Sequence, residues 1–461
     1  MTPAVLRKFI LIDAALEGMG GHYSDYAERV LGEAEKVGFE TFLVTRNDIS
    51  NDVTNGRRNL SLLRRDFWSD FVVTAGSGAS LNLEARGLAA GLRDRLGLGL
   101  PGPGAARQML RRAALALFMP AALVEAALRR LTTAPLRRAA KSFAEDLARV
   151  DDAVGGLGAG DVVFMPTIFV AEALGLARFL SARPAARATA WRLLYRRDLD
   201  IEQNSDEATL KRRRGRLARA LDAIATLPDI RLFTDTEALS RQYSEMSSTR
   251  FFTAPIPVDA GRRAAPTARR PLNVTFLGDA RCEKGFHLLP GLIDRVPPGE
   301  AVRYAVQANF SAGDGEPPCV AAREALAGRA GVELLVGPFS REDYAALLAE
   351  ADVVVLPYDA KAYRARSSGI FVEALANGTP VVVTAGTWMS AQLQAISKSG
   401  PAVGTIAGTG SEALAEGVRQ VIEQYADYRA AALGHAAAWK DHHSSHALFT
   451  TIMASAMNDA D

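Results

Sequence analysis

An α/β chain with two doubly wound, Rossmann-like domains is what this 461-residue sequence predicts, and three stretches predict it. The run Val353-Val354-Val355-Leu356 is apolar and stops at Pro357, which suits a parallel strand buried on both faces. A polar loop and a helix over 370–376 follow, the helix ending at Asn377-Gly378 with Pro380 just beyond and a new apolar strand starting at Val381. Near the other end, a strand over 9–12 runs into Gly18-Met19-Gly20-Gly21-His22 and a helix over 23–36, the strand, glycine turn and helix that open such a domain. Between them, Pro255, Pro257 and a Pro-, Ala- and Arg-rich connector over 259–270 mark a boundary. The predicted parts are a first domain over 1–258, a second over 259–438 and a C-terminal helix over 439–461.

The elements follow in order. After the strand 39–45, the stretch 86–141 changes character: arginines alternate with Leu, Ala, Phe and Met, and only Asp94 and Glu125 are acidic. Its apolar part, 113–128, holds Pro120 and Glu125 between arginine pairs, too short and interrupted to span a bilayer. About 105–140 therefore suits a membrane surface with anionic headgroups, or a helical excursion with solvated arginines packed on the first domain. Strands are predicted at 162–165, 188–195 and 230–234, with a helix over 206–225 carrying Lys211-Arg212-Arg213-Arg214. No aromatics interleave with that basic run, so a solvated helix face is preferred to a nucleic-acid site. In the second domain a strand over 272–277 precedes a turn and a helix over 286–292. Strands at 302–307 and 332–336 follow, then a helix over 341–350 capped by Ser340. Helices are predicted over 411–437 and through the tail to 457.

Composition excludes more than it assigns. Apolar content of 48%, charged content of 23% and a net charge of +2 suit a globular protein and name no partner. The N-terminus lacks a convincing signal peptide, so the expectation is a cytoplasmic, soluble protein, at most peripheral on the inner face of a membrane. Two cysteines, Cys282 and Cys319, make no disulfide framework and lack the neighbouring Cys or His spacing of a metal site. His435, His442, His443 and His446 crowd the tail without supporting acids and read as a solvated polar helix. No metal site is predicted.

Two turns carry chemistry. Gly278-Asp279-Ala280-Arg281-Cys282-Glu283-Lys284-Gly285 lies between a strand and a helix, where a lysine ammonium reaches an anion held by the helix N-terminus. The second loop brings Arg364, Arg366, Ser367, Ser368, Gly369 and Ile370 to another helix N-terminus, again suited to phosphate. Glu373 lies one turn further on, where hydroxyls such as those of a ribose suit a carboxylate. Gly20, Gly21 and His22 would let a diphosphate approach the first domain's backbone, although their spacing is not that of a dinucleotide-binding dehydrogenase.

These residues resemble the donor segment of retaining glycosyltransferases with the GT-B fold, in the large family numbered four (glycosyltransferase group 1). That family carries two glutamates separated by seven residues, the second followed by Ala, a helix-ending Gly and a Pro-Val-Val strand. Glu373-Ala374, Gly378 and Pro380-Val381-Val382 match the second half, while Ala365 stands where the first glutamate would fall. Glu283-Lys284-Gly285 match the family's triplet, with Asp279 in its arginine position and Arg281 two residues later. The resemblance implies two lobes facing across a cleft, with a last helix crossing back onto the first. It implies Lys284 and Arg281 on the donor diphosphate, Glu373 on the ribose, and Gly20-Gly21 facing the phosphates. It further implies no cofactor beyond the nucleotide-diphosphate sugar donor, a metal-independent transfer, and a glycan or lipid-linked acceptor. Two alternatives stay open: an isomerase or phosphorylase on the same scaffold, and a non-catalytic nucleotide-sugar-binding protein, to which Ala365 and Asp279 lend weight.

Overall fold

The computed structural model describes residues 7–16, 22–49, 58–64, 121–198, 207–258, 271–310, 315–337 and 339–454. Two parallel sheets organise them. The first has seven strands: β1 (Lys8–Ile12), β2 (Glu40–Arg46), β3 (Asn59–Leu63), β4 (Val162–Met165), β5 (Ala190–Tyr195), β6 (Ile230–Thr234) and β7 (Phe251–Thr253), in the order β3-β2-β1-β4-β5-β6-β7. The second has six: β8 (Leu272–Phe276), β9 (Val302–Gln307), β10 (Val332–Leu335), β11 (Val353–Leu356), β12 (Val381–Thr384) and β13 (Gly404–Ala407), in the order β10-β9-β8-β11-β12-β13. Each is doubly wound, so its strand order reverses once, between β1 and β4 and between β8 and β11. Crevices that accept ligands open outside the carboxyl ends of the strands at such points.

The helices are α1 (His22–Lys36), α2 (Ala121–Ala153), α3 (Val170–Ala182), α4 (Glu207–Ile224), α5 (Glu237–Ser244), α6 (Leu289–Arg295), α7 (Pro317–Leu326), α8 (Arg341–Glu350), α9 (Gly369–Ala376), α10 (Trp388–Ser399), α11 (Ser411–Glu423), α12 (Tyr425–His442) and α13 (Ser445–Met453). Alternation along β11 shows how both faces of the second sheet are buried. Val354 and Leu356 join Ile370, Phe371 and Leu375 of α9, while Val353 and Val355 join Leu292 and Val418 on the other side. A strand with no solvated face must read as an unbroken apolar run, and this one does.

Several boundaries differ from expectation. The helix expected over 286–292 is a three-residue turn, Phe286–Leu288, followed by α6. The helix expected over 411–437 breaks at Gln424, whose φ of −109° and ψ of 28° leave the helical region, so that α11 flanks β13 while α12 packs on α9. The tail breaks again at His443 and Ser444, and Ser444 caps α13 by accepting from Ala447 N–H at 3.0 Å. Leu448, Phe449 and Ile452 of α13 are buried against Phe9, Val30 and Phe39 of the first lobe.

Residues 86–120 of the basic excursion lie outside the described residues. From Leu136 onward α2 packs on the first lobe's core through Leu136, Ala139, Phe143 and Leu147, while Arg137, Arg138 and Lys141 stay exposed. That part of the excursion is a helix packed on its own lobe. No helix among the described residues is long and apolar enough to cross a membrane.

Candidate active site

One wall of the site is the end of β8 and the turn after it. Gly285 has φ of +73°, and a Cβ there would overlap the carbonyl oxygen of Pro357, so glycine lets this turn lie against the residue that ends β11. Glu283 completes the join, its carbonyl accepting from Asp359 N–H at 2.9 Å. Gly278 has φ of +112°, and a Cβ placed on it would stand 2.8 Å from Lys284 Nζ and 3.1 Å from Ile370 Cδ1. The ammonium of Lys284 and the first turn of α9 therefore meet at Gly278.

Charge in this wall is unevenly matched. Arg281 pairs with Glu283 at 2.9 Å, and Arg366 with the other oxygen of the same carboxylate at 3.0 Å. Among the described residues Lys284 has no hydrogen bond or ion pair. Its pKa is pushed down to about 8, first by removal from water and then by Arg281. A half-buried ammonium with cationic neighbours and no carboxylate of its own is suited to an arriving anion.

The loop after β11 divides its residues between tasks. Ser368 caps α9, its hydroxyl accepting from Phe371 N–H at 3.3 Å. Ser367 donates to Asp235 of the first lobe at 2.6 Å. Ile370 is buried in the second lobe's core, while Gly369 faces the space between the lobes. The amides of Gly369 and Ile370 are first-turn N–H groups, which have no acceptor within their helix. Glu373 lines the same space and accepts from Tyr344 Oη at 3.0 Å.

The opposite wall belongs to the first lobe. Tyr26 and Arg29 of α1, Thr167 after β4, Arg196 after β5 and Asp235 after β6 line a cleft of about 260 Å³ with Arg366, Ser367, Gly369 and Glu373. Asp13, just beyond β1, is raised to about 6 by burial, against the pull of Ala15 N–H and Arg196. Asp235 is likewise raised by burial, opposed by Arg196 and by Ser367. Asp13 Oδ2 and Asp235 Oδ1 are buried without a hydrogen-bond partner among the described residues.

The connector over 255–258 forms the cleft's back edge and is fastened by His443. Ile256 N–H donates to His443 Nδ1 at 3.1 Å, and Val258 N–H to its carbonyl at 2.9 Å. His443 is buried beside Trp439, with ring centroids 4.5 Å apart, and its pKa is driven down to about 3 by burial and then by His442. The tail is thus not a uniformly solvated histidine helix: His443 is a neutral structural acceptor, while His446 stays exposed beside Glu33 at 3.2 Å.

The structure brings Lys284 and Ile370 together at Gly278, with Arg281 beside the lysine, while Ser367, Gly369 and Glu373 line the cleft, whose lining does not include Lys284, Arg281 or Gly278. Gly20 and Gly21 lie outside the described residues, and of His22 only its place at the start of α1 is described. Arg196, Asp235, Thr167 and Tyr26 went unnoticed as cleft residues. The signal available for the first three was their position just past the ends of parallel strands. Ala365, at the place of the missing glutamate, is buried in the first lobe's core, and its carbonyl accepts from Thr236 Oγ1 at 2.6 Å. Cys282, Cys319 and His287 also come together. Their separation in sequence conceals a cluster whose ligand atoms all lie within 4.8 Å of one another.

Two doubly wound lobes with a cleft between them, tied by a last helix returning to the first lobe, constitute the GT-B architecture of glycosyltransferases. Residues 272–424 match the family described as Glycosyl transferases group 1. The fold is similar across the whole chain to sucrose-phosphate synthase from Thermosynechococcus elongatus, at 13% identity and a TM-score of 0.60, covering 97% of each chain. It is also similar to a glycosyltransferase from Rickettsia africae, at 9% identity and a TM-score of 0.56, covering 96% of each. A third similar structure is HepE from Anabaena in complex with UDP-glucose, at 12% identity and a TM-score of 0.54, covering 96% of this chain and 98% of that one. No curated protein sequence matches the chain.

Proposed function

We propose that the protein transfers a sugar from a nucleotide-diphosphate donor to an acceptor hydroxyl with retention at the sugar carbon, in polysaccharide or lipid-linked glycan synthesis. The observation that carries this reading is the Lys284 ammonium, without hydrogen bond or ion pair among the described residues, meeting Ile370 of the first turn of α9 at Gly278, α9 being the helix that presents Glu373 to the cleft. As the bond from the sugar to the diphosphate breaks, negative charge grows on the departing phosphate. A cation held in place and stripped of water, with first-turn amides beside it, stabilises that charge without reorganising. Glu373, oriented by Tyr344, accepts from the ribose hydroxyls. Arg281 and Arg366, both anchored to Glu283, raise the positive potential around the lysine. The proposed donor is the class of ligand that the Anabaena protein holds, a nucleotide sugar. Attachment of the basic stretch at about 105–140 to a cytoplasmic membrane face, through the part before Leu136, belongs to the same proposal, as the means of meeting a lipid-linked acceptor.

A second reading, nucleotide-sugar binding without transfer, is favoured by Ala365. A glutamate at that place would be buried among apolar side chains of the first lobe, and Ala365 instead makes a contact between lobes. Melting-point screens with UDP-, GDP- and ADP-sugars, followed by radiolabelled sugar transfer to glycan and polyprenyl-phosphate acceptors, separate the readings. Transfer supports the first. Stabilisation by a nucleotide sugar with no transfer or hydrolysis supports the second, and stabilisation by none of them removes both.

A further inference from the structure

Directly behind the lysine turn lies a cluster that the proposed transfer does not use. Cys282 opens the turn Cys282–Lys284, His287 sits in the next turn, and Cys319 lies in the first turn of α7. Both thiols are free, with sulfurs 3.4 Å apart. One ligand atom from each of the three residues lies within 4.8 Å of the other two. A tetrahedral zinc ion, with bonds of about 2.3 Å to sulfur and about 2.0 Å to nitrogen, requires its ligand atoms to stand roughly 3.3–3.8 Å apart. To fit, the sulfurs need to part by about 0.4 Å and the imidazole nitrogen to close on them by roughly 1.3 Å at most. The nearest further donor lies outside the three-residue cluster: Glu316 Oε2 is 3.8 Å from Cys319 Sγ and accepts from the backbone N–H of Cys282.

We propose that Cys282, His287 and Cys319 form a site for a thiophilic divalent cation of the zinc type, with Glu316 rotating away from the Cys282 amide to complete the set. Two sulfurs and an imidazole favour zinc over magnesium or calcium, which prefer oxygen donors. Binding displaces the two thiol protons and joins each sulfur to the metal. Its location gives it a structural task. Cys319 is buried and fixed on α7, whereas Cys282 begins the turn that ends in Lys284, so the metal clamps that turn to the helix behind it. Lys284 itself points the other way, toward Gly278 and Ile370, so the metal takes no part in the transfer. A disulfide between the same sulfurs is the competing outcome, and it would leave His287 without a role.

The test uses the full chain, reduced and freed of metal, and titrated with zinc and with cobalt(II). The expected result is one equivalent retained through gel filtration, with thiolate-to-cobalt charge-transfer absorption. Cys282→Ser and Cys319→Ser should abolish that absorption. His287→Ala, at an exposed position that leaves the fold untouched, should weaken binding about tenfold or more, and His442→Ala with His446→Ala should change nothing. Absence of the charge-transfer band in the folded wild-type chain would overturn the site, as would zinc affinity unaltered by His287→Ala. Quantitative conversion to a Cys282–Cys319 disulfide in the presence of zinc would do the same. The clamp's effect on donor affinity rests on the proposed function, whereas the metal count does not, so either can fail alone.

Discussion

The two lobes share one strand order, to which the first adds a seventh strand, and differ in the chemistry they bring to the site. On the second lobe's side the charged groups centre on a cation: Glu283 is shared between Arg281 and Arg366, and Lys284 has no ion pair among the described residues. On the first lobe's side the charges are mixed, Asp25 and Asp235 standing among Arg29, Arg196 and Arg197, with Asp235 raised by burial and tempered by Arg196. The same topology thus builds a cation-centred wall for an anion and a wall of mixed charge in which Asp235 is placed to accept from hydroxyl or N–H donors. Topology fixes where the strand ends meet the cleft, and the residue placed just past each end decides what that wall binds.

Substituting the centre of the cationic wall should break the asymmetry most severely. Lys284→Ala is expected to lower turnover by about 100- to 1000-fold, the range for losing a preorganised donor at a developing oxyanion. The melting point should hold, because among the described residues the side chain has no hydrogen bond or ion pair to lose. Asp235→Asn, on the other wall, should alter acceptor KM more than donor affinity; equal effects of both substitutions on donor binding would erase the distinction between the walls.

Gly285→Ala comes next. It forces a side chain into the carbonyl of Pro357 at a φ of +73°, and should destabilise the chain by about 2 kcal/mol or more while displacing the lysine turn, as read by denaturant unfolding and donor affinity. A wild-type unfolding midpoint would show that the close approach is not maintained.

Acidity gives a gentler probe of the hinge between the walls. His443 falls from its ordinary value of 6.5 to about 3 in the fold, so the unfolded chain takes up a proton that the folded chain refuses. The stabilisation is complete above about 6.5 and is lost as pH falls toward about 3, giving a decline across that window that His443→Gln should flatten. An identical pH profile in the variant would remove the histidine from the hinge.

Much of this architecture was legible because parallel strands buried on both faces must be written as unbroken apolar runs. Val353–Leu356 and Val162–Met165 are such runs, and both are strands. Asn377-Gly378 ends α9 as expected, Gly378 having φ of +63°. Less legible was the break at Gln424, which no glycine or proline announces and which tertiary packing imposes by directing α11 and α12 to different partners. Lys284 and Glu373 could be singled out because strand-to-helix turns carry their own signature. The first lobe's wall could not, since Arg196 and Asp235 resemble any charged residue after a strand until the opposite lobe is placed over them. His443 and the Cys282–His287–Cys319 cluster were hidden for the same reason, because their partners are distant in sequence.

The central claim is that the charged Lys284 ammonium holds the donor's diphosphate, and calorimetric titration of UDP, GDP and ADP across pH tests it most directly. For the nucleotide that binds, affinity should stay level below about 8 and fall as pH rises through that value and the ammonium loses its proton. Lys284→Arg should remove that decline, and Lys284→Ala should leave weak binding with no pH dependence in the same range. Nucleoside-diphosphate affinity that is unchanged in Lys284→Ala would contradict the account.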